Sequence, residues 1–225
     1  MLVEIWSDVV CPWCYIGKRR FESALAQFEQ RDEVEVRWRS FELDPEAPVR
    51  RGSTAEHLAG KYGWSPEQVA ASHARLESLA AAEGLEYHLA DTQGGNTFDA
   101  HRLLHAAGGV GRGAEMEERL FRGYFTEGVA VGDREALARV AAGIVPAAAQ
   151  VLESGAFADE VRADERDAHL LGIHAVPFFA VDRRYGVEGA QPAELIVEAL
   201  RRAWSELAVG STTTAAEASR GGSKP

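Results

Sequence analysis

The sequence predicts an α/β protein in which one sheet-bearing domain is split along the chain by a large all-helical insertion. Three observations lead there. Strand-like patterns occur only near the two ends, the stretch from about residue 45 to residue 172 carries helix punctuation alone, and 225 residues are long for one simple domain yet short for two independent ones. The expected division is a discontinuous sheet domain over 1–48 and 172–209, a helical insertion over 49–171, and a disordered tail over 210–225.

The elements follow in order. Residues 2–6 (LVEIW) read as a short strand, and residues 34–41 (VEVRWRSF) alternate apolar and polar with period two, as a half-buried strand does. Between them, steps of three and four from Cys14 reach Gly17, Phe21, Leu25 and Phe28, one apolar helical face. The opening is therefore β-α-β. In the middle of the chain, Ser53 with Glu56 and Ser65 with Gln68 match capping boxes, the second with Pro66 at the first helical position. Val69, Leu76, Leu79 and Ala80 share a face of the helix that follows Ser65, and Gly84 stops it. Asn96 or Thr97 caps the next helix; Met116, Leu120 and Tyr124 line another; Asp133 caps a third; Phe157, Val161, Ala168 and Leu171 mark a fourth. Strand pattern returns in VPFFAVD (176–182), with RRYGVEG (183–189) as a hairpin partner, and a last helix starts at Pro192 with Ile196, Leu200, Ala203, Trp204 and Leu207 inward. Because β-α-β at one end and β-β-α at the other can share a sheet, the helices between are an interruption of one fold.

Composition narrows the function. Hydrophobic residues at 46% and charged residues at 26% are the balance of a soluble globular chain. A net charge of −11 repels phosphate backbones and acidic lipid surfaces, so neither nucleic acid nor membrane is an expected partner. No apolar run reaches spanning length, and Glu4 and Asp8 precede the first cation, Lys18, so the basic start of a secretory signal is not seen and a cytoplasmic protein is expected.

Chemistry concentrates in residues 5–21 (IWSDVVCPWCYIGKRRF), which hold both cysteines of the chain. Two cysteines make no disulfide framework. Pro12 suits a first helical turn, which puts Cys11 at the helix N-terminus, where unpaired N–H groups and the dipole favour a thiolate. Cys14, one turn on, falls on the apolar face and is expected to be the more buried sulfur. Residues at i and i+3 of a helix have Cβ atoms roughly 5–6 Å apart, within reach of a reversible disulfide. This asymmetry suits an attacking Cys11 and a resolving Cys14. The competing readings are an inert pair and half a zinc site; zinc needs four ligands and there is no second CxxC. His101 and His105 have the i, i+4 spacing of two zinc ligands, but the glutamate of HExxH is missing, and packing or surface roles are favoured.

Several segments carry a resemblance: SDVVCPWC (7–14), AHRL (100–103), YFTEG (124–128), and GIHAVPFF with YGVEGAQP between 172 and 192. Over about residues 2–207 the chain resembles the thioredoxin superfamily, in its DsbA-like branch with a helical insertion, and within that the FrnE-type, or 2-hydroxychromene-2-carboxylate isomerase-like, group. The resemblance implies a thioredoxin fold split by helices, catalytic Cys11 and Cys14, and a catalytic Pro177 in a cis Val176–Pro177 bond beside them. The residues alone favour trans, since X–Pro bonds in folded proteins are mostly trans. A cis turn would offer the Val176 backbone to an extended substrate. Isomerase and kappa-class glutathione transferase relatives generally carry serine where this chain has Cys11, which tilts the expectation toward thiol exchange.

The expected activity is thiol–disulfide oxidoreduction on protein or small-molecule disulfides, needing no metal or cofactor, with glutathione as a candidate reductant or co-substrate. A glutathione-dependent isomerase or transferase acting on an aromatic metabolite is the alternative, and a non-enzymatic binding module a third. Pro12, Trp13, Val176, Asn96 and His101 are the candidate substrate contacts. Trp13 offers an exposed apolar surface or ordinary packing. Asn96 and His101 lie in NTFDAH, which in similar proteins packs near the active-site mouth, although a cap accounts equally for Asn96. His174 approaches Cys11 or faces solvent; Asp8 modulates the thiol or orders the turn.

Overall fold

The structure is a computed structural model describing residues 1–50 and 52–220, with side chains to residue 207. Its main sheet has four strands, β1 (Leu2–Ser7), β2 (Glu35–Ser40), β5 (Phe178–Val181) and β6 (Tyr185–Glu188), in the order β2-β1-β5-β6. β1 runs parallel to β2, with Leu2 opposite Glu35 and Ser7 opposite Ser40, because α1 (Pro12–Ala26) provides the crossover that parallel pairing requires. β5 pairs antiparallel with β1 and with β6. The β5–β6 turn has φ of 49° at Asp182 and 53° at Arg183, both left-handed, as a tight hairpin matched to strand twist demands. Neither residue is glycine. Asp182 instead accepts the Leu2 N–H at 2.7 Å and Arg183 ion-pairs with Glu4, contacts that offset the backbone cost.

Alternation along β1 separates two cores. Val3 and Ile5 pack with Phe21, Phe179, Ile196 and Leu200 beneath α1 and the last helix, α9 (Ala193–Arg220). Trp6 faces the other way, where the interrupting helices cover the sheet, and its indole N–H donates to the Asp164 carbonyl at 3.0 Å. Glu4 shares that second face and is 1% exposed. Its carboxylate is held by Arg183 (2.6 Å) and Arg39 (2.5 Å), which keep it below the usual carboxylate range despite burial.

Between β2 and β5 lie α2 (Thr54–Tyr62), α3 (Pro66–Ala82), α4 (Phe98–Gly108), α5 (Gly113–Phe125), α6 (Arg134–Val140), α7 (Ala148–Glu153) and α8 (Ala158–Leu170). The helix starts fall where the caps placed them. Ser53 accepts the Glu56 N–H, Ser65 and Gln68 close a reciprocal capping box, and Asp133 accepts the Glu135 and Ala136 N–H groups.

Three features differ from expectation. The stretch expected to be purely helical holds a two-residue ladder, β3 (Gly52–Ser53) with β4 (Gln93–Gly94), too short for any period to show. α7 had no sequence signal: it spans six residues and starts after Ala147 in a left-handed conformation, with no polar cap. α9 continues to Arg220, so the tail expected to be disordered from Gly210 is helical in its backbone that far; extending a formed helix costs less than nucleating one, and Ala215, Ala216 and Ala218 favour it. Residues 221–225 of that tail lie outside the described residues.

Candidate active site

After β1 the chain turns into α1 under the control of Asp8. Its carbonyl accepts the Cys11 N–H at 3.0 Å, and its buried carboxylate accepts the Leu43 N–H at 2.8 Å. Cys11 then takes the N-cap position in extended conformation (φ −86°, ψ 112°), with Pro12 in the first turn, where its missing N–H leaves nothing unpaired. The Cys14 N–H reaches back to the Cys11 carbonyl at 3.0 Å. Both cysteines are free thiols, Cys11 4% and Cys14 1% exposed. Burial, reinforced by the neighbouring Cys11 sulfur, pushes the Cys14 thiol well above its ordinary range, while the Asp8 N–H and the Ser7 hydroxyl draw it down.

The Val176–Pro177 bond is cis, so the trans geometry favoured by the residues alone is overturned and the isomer implied by the resemblance is the one present. The Val176 carbonyl lies 3.6 Å from Cys11 Sγ, which donates to it. Pro177 sits against α1 at Gly17, where an added Cβ would come within 2.8 Å of Pro177 Cγ. Gly17 is there for close approach, at the expense of helix propensity. Gly17→Ala is therefore expected to push the proline loop away from α1, to cost about 1–3 kcal/mol in urea unfolding, and to slow exchange. An alanine variant with wild-type midpoint and rate would show that the loop yields freely.

Two residues outside the first β-α unit's own loop brace the pair. The Tyr87 hydroxyl donates to the Pro12 carbonyl at 2.8 Å, and Phe121 of α5 stacks on the Tyr15 ring of α1 at 4.8 Å. In front of Cys11 opens a cavity of about 580 Å³, walled by α2 and α3 and lined by Trp13, Leu76, Tyr124, His174 and Val176. Trp13 is 41% exposed at its edge.

The structure thus brings Cys11, Cys14, Pro12, Trp13, Val176 and Pro177 together, and leaves two expected substrate contacts out. His101 is fully buried, its Nε2 3.5 Å from Asp8 Oδ1, and does not face the cavity. Burial disfavours its cation, but the Asp8 carboxylate, with Glu117 and Glu42 beyond, outweighs that and raises its pKa. A substrate cannot reach it. Asn96 donates to Glu42 (3.0 Å) and to the Pro45 carbonyl (3.2 Å) and accepts the Phe98 N–H (3.0 Å) from one residue before the N-cap, Thr97, whose own side chain makes no cap bond, so the polar groups of Asn96 are committed within the protein. His105 is 3.0 Å from Asp164 and 3.1 Å from Ser40, apart from His101 in its partners. His174 is exposed and lines the cavity.

Sequence reasoning missed Glu117. It is fully buried on α5, and the Ser7 hydroxyl donates to its Oε1 at 2.8 Å. A signal existed: Glu117 stands three, four and seven residues before Leu120, Phe121 and Tyr124, a carboxylate on an otherwise apolar stripe.

A split sheet with a CxxC pair at the start of its first helix, facing a cis-proline loop, defines a thioredoxin-fold protein with a dithiol site. The chain belongs to the DSBA-like thioredoxin domain family, whose model matches residues 2–201. It is similar to a solved structure described as a probable DsbA oxidoreductase from Streptomyces coelicolor, at 50% identity over 92% of this chain and 91% of that one, with a TM-score of 0.87. A 2-hydroxychromene-2-carboxylate isomerase shares the fold at 18% identity, covering 92% of this chain and 98% of the other, with a TM-score of 0.67. Among curated proteins, an uncharacterized Bacillus subtilis protein, YwbO, is 28% identical over 62% of this chain; the match spans 64%, less than two thirds, of that relative's length.

Proposed function

We propose that this protein is a thiol–disulfide oxidoreductase that cycles Cys11 and Cys14 between dithiol and disulfide. Cys11, at the helix start and open to the cavity, attacks a substrate sulfur; one thiolate leaves and a mixed disulfide remains. Cys14 then attacks Cys11, and the second substrate thiolate departs. The pair loses two electrons and the substrate disulfide gains two; the reverse sequence oxidises a substrate dithiol. The observation that carries this reading is the placement of Cys11 Sγ 3.6 Å from the Val176 carbonyl at the cavity wall, with Cys14 enclosed behind it. The Val176 backbone is positioned to pair with an extended segment around the substrate sulfur. Protein and small-molecule disulfides or thiols are the proposed partners, and the cytoplasm the proposed compartment; among the described residues no helix is long and apolar enough to cross a membrane.

A second reading has the cavity of about 580 Å³ in its favour: a glutathione-dependent isomerase or transferase on an aromatic metabolite, using Cys11 alone. Cys14→Ser separates the two. For an oxidoreductase, the variant accumulates mixed disulfides with a disulfide-bonded peptide, seen by mass spectrometry, and loses multiple turnover. Unimpaired turnover without trapped adducts would favour the second reading.

A further inference from the structure

We propose that α2 is a lid over the dithiol cavity: it swings about its N-terminal end at Thr54 and closes on the mixed disulfide at Cys11, shutting out thiols from solution until Cys14 resolves it. This deepens the oxidoreductase reading and rests on it.

The observation behind it is how little holds α2 in place. None of its nine residues, Thr54–Tyr62, is buried, whereas α4 buries seven of its eleven. Space lies on both sides. His57, Leu58, Lys61 and Tyr62 line the dithiol cavity of about 580 Å³. Behind α2 is a second cavity of about 410 Å³, lined by Ala55 and Ala59 of α2 and by Ala70 and Ala74 of α3. Side chains this short leave the two helices without the interdigitation of a packed interior. His73 of α3 borders both cavities, so the space in front of α2 and the space behind it meet at one residue. A helix so placed makes few dispersion contacts, and displacing it costs far less than displacing a core helix.

The two ends of α2 are held unequally. At the start, Ser53 pairs with Gln93 in the β3–β4 ladder, the Thr54 N–H donates to the Thr92 carbonyl at 3.1 Å, and the Thr54 and Tyr124 hydroxyls share a bond at 2.9 Å. At the far end, Gly63 closes the helix in left-handed conformation (φ 65°), and a Cβ there would meet nothing within 4 Å. Tyr62, 54% exposed, stacks on Trp64 across that turn at 4.9 Å. One end tethered by backbone and hydroxyl bonds, with the other standing in solvent, is the arrangement of a hinged segment.

Substrate supplies what α2 lacks. In the free protein Leu58 and Tyr62 border open space, and a group joined to Cys11 fills the cavity in front of them. Its apolar surface binds the closed position better than the open one, which is the differential affinity a closing motion needs. Closure matters because a mixed disulfide has two fates. If the Cys14 thiolate attacks Cys11, the bond from Cys11 to the substrate sulfur breaks, the substrate leaves as a thiolate and the pair is oxidised. If an outside thiolate attacks the substrate sulfur instead, that sulfur joins the newcomer, Cys11 leaves as a thiolate and the pair stays reduced. Cys14 comes from the enclosed side, 1% exposed, whereas an outside thiol must come through the cavity. A lid across the cavity leaves the first route open and blocks the second.

The test uses Cys14→Ser, in which the mixed disulfide cannot resolve, joined at Cys11 to a short cysteine peptide by reaction with that peptide's symmetric disulfide. Hydrogen exchange of the backbone over residues 55–62, read by mass spectrometry, is expected to slow about ten-fold or more when the adduct forms. Adding Leu58→Ala and Tyr62→Ala is expected to let dithiothreitol release the peptide about ten-fold or more faster, with the fold kept as judged by circular dichroism. Thr54→Val, which keeps the shape but removes the bond to Tyr124, is expected to speed release in the same direction and serves if the double replacement does not fold. Exchange over 55–62 that is the same with and without the peptide overturns the lid, as does release at one rate with and without the replacements. A Cys14→Ser protein that forms no adduct overturns the oxidoreductase reading itself.

Discussion

Replacing Cys11 by alanine should yield a folded protein whose exchange with disulfides falls to the uncatalysed background, a loss on the order of 10³-fold or more. The residue is 4% exposed, its thiol is small, and the hydrogen bond it donates to the Val176 carbonyl is weak, so removing the sulfur should change unfolding stability little, by about 1 kcal/mol. The two readouts must separate: activity gone, fold kept. Cys14 cannot take over, because it faces the protein interior and burial with the nearby sulfur holds its thiol protonated. Substantial residual exchange in the alanine variant would mean that Cys14 reaches substrate directly, and would reverse the assignment of attacking and resolving sulfurs.

Glu4→Gln should cost about 3 kcal/mol, the largest stability effect we expect from a near-isosteric change. Glu4 is 1% exposed and its carboxylate joins three elements, since Arg39 belongs to β2 and Arg183 to the β5–β6 turn. The amide would leave both guanidinium groups facing a neutral partner. The expected cost sits at the lower end for a broken buried pair because Arg183 is 43% exposed and can turn to water, and Arg39 keeps Asp164 at 2.8 Å. The effect depends on pH. Arg183 and Arg39 hold the Glu4 carboxyl below its ordinary range, so its contribution is fully present above the unfolded carboxyl's range and is lost as pH falls through the folded value. Urea unfolding from pH 7 down to pH 3 should show the variant and wild type converging in the acid limb. A gap that stays constant would assign the loss to packing instead of charge.

Much of this was legible in the sequence because it rests on local rules. Pro12 after Cys11 marks a helix start, a helix start orients its cap residue, and the apolar spacing from Cys14 places that sulfur inward. Ser65 with Gln68, and Asp133, are caps whose bonds close within three residues. What stayed hidden is decided by partners far along the chain. Glu117 meets Ser7 across 110 positions, and Tyr87 meets Pro12 across 75. His101 carried two meanings until Asp8 was seen against it; a histidine within reach of an active site and one sealed behind it have the same neighbours in sequence. The cis Val176–Pro177 bond runs against the general preference for trans, and only the resemblance, not the residues themselves, had implied it.

The bond from Tyr87 to the Pro12 carbonyl also bears on how such a molecule can be rebuilt. A miniaturised version with the helical excursion replaced by a short linker would keep every strand of the main sheet and both sulfurs, yet it would strip the support from the dithiol loop, bare Trp6 and Glu4 to water, and discard the carboxylate behind Ser7. Ancestral trimming or transplantation of this lobe is therefore constrained at the reaction centre itself, and swapping lobes between relatives should carry the residues that grip the loop along with the helices.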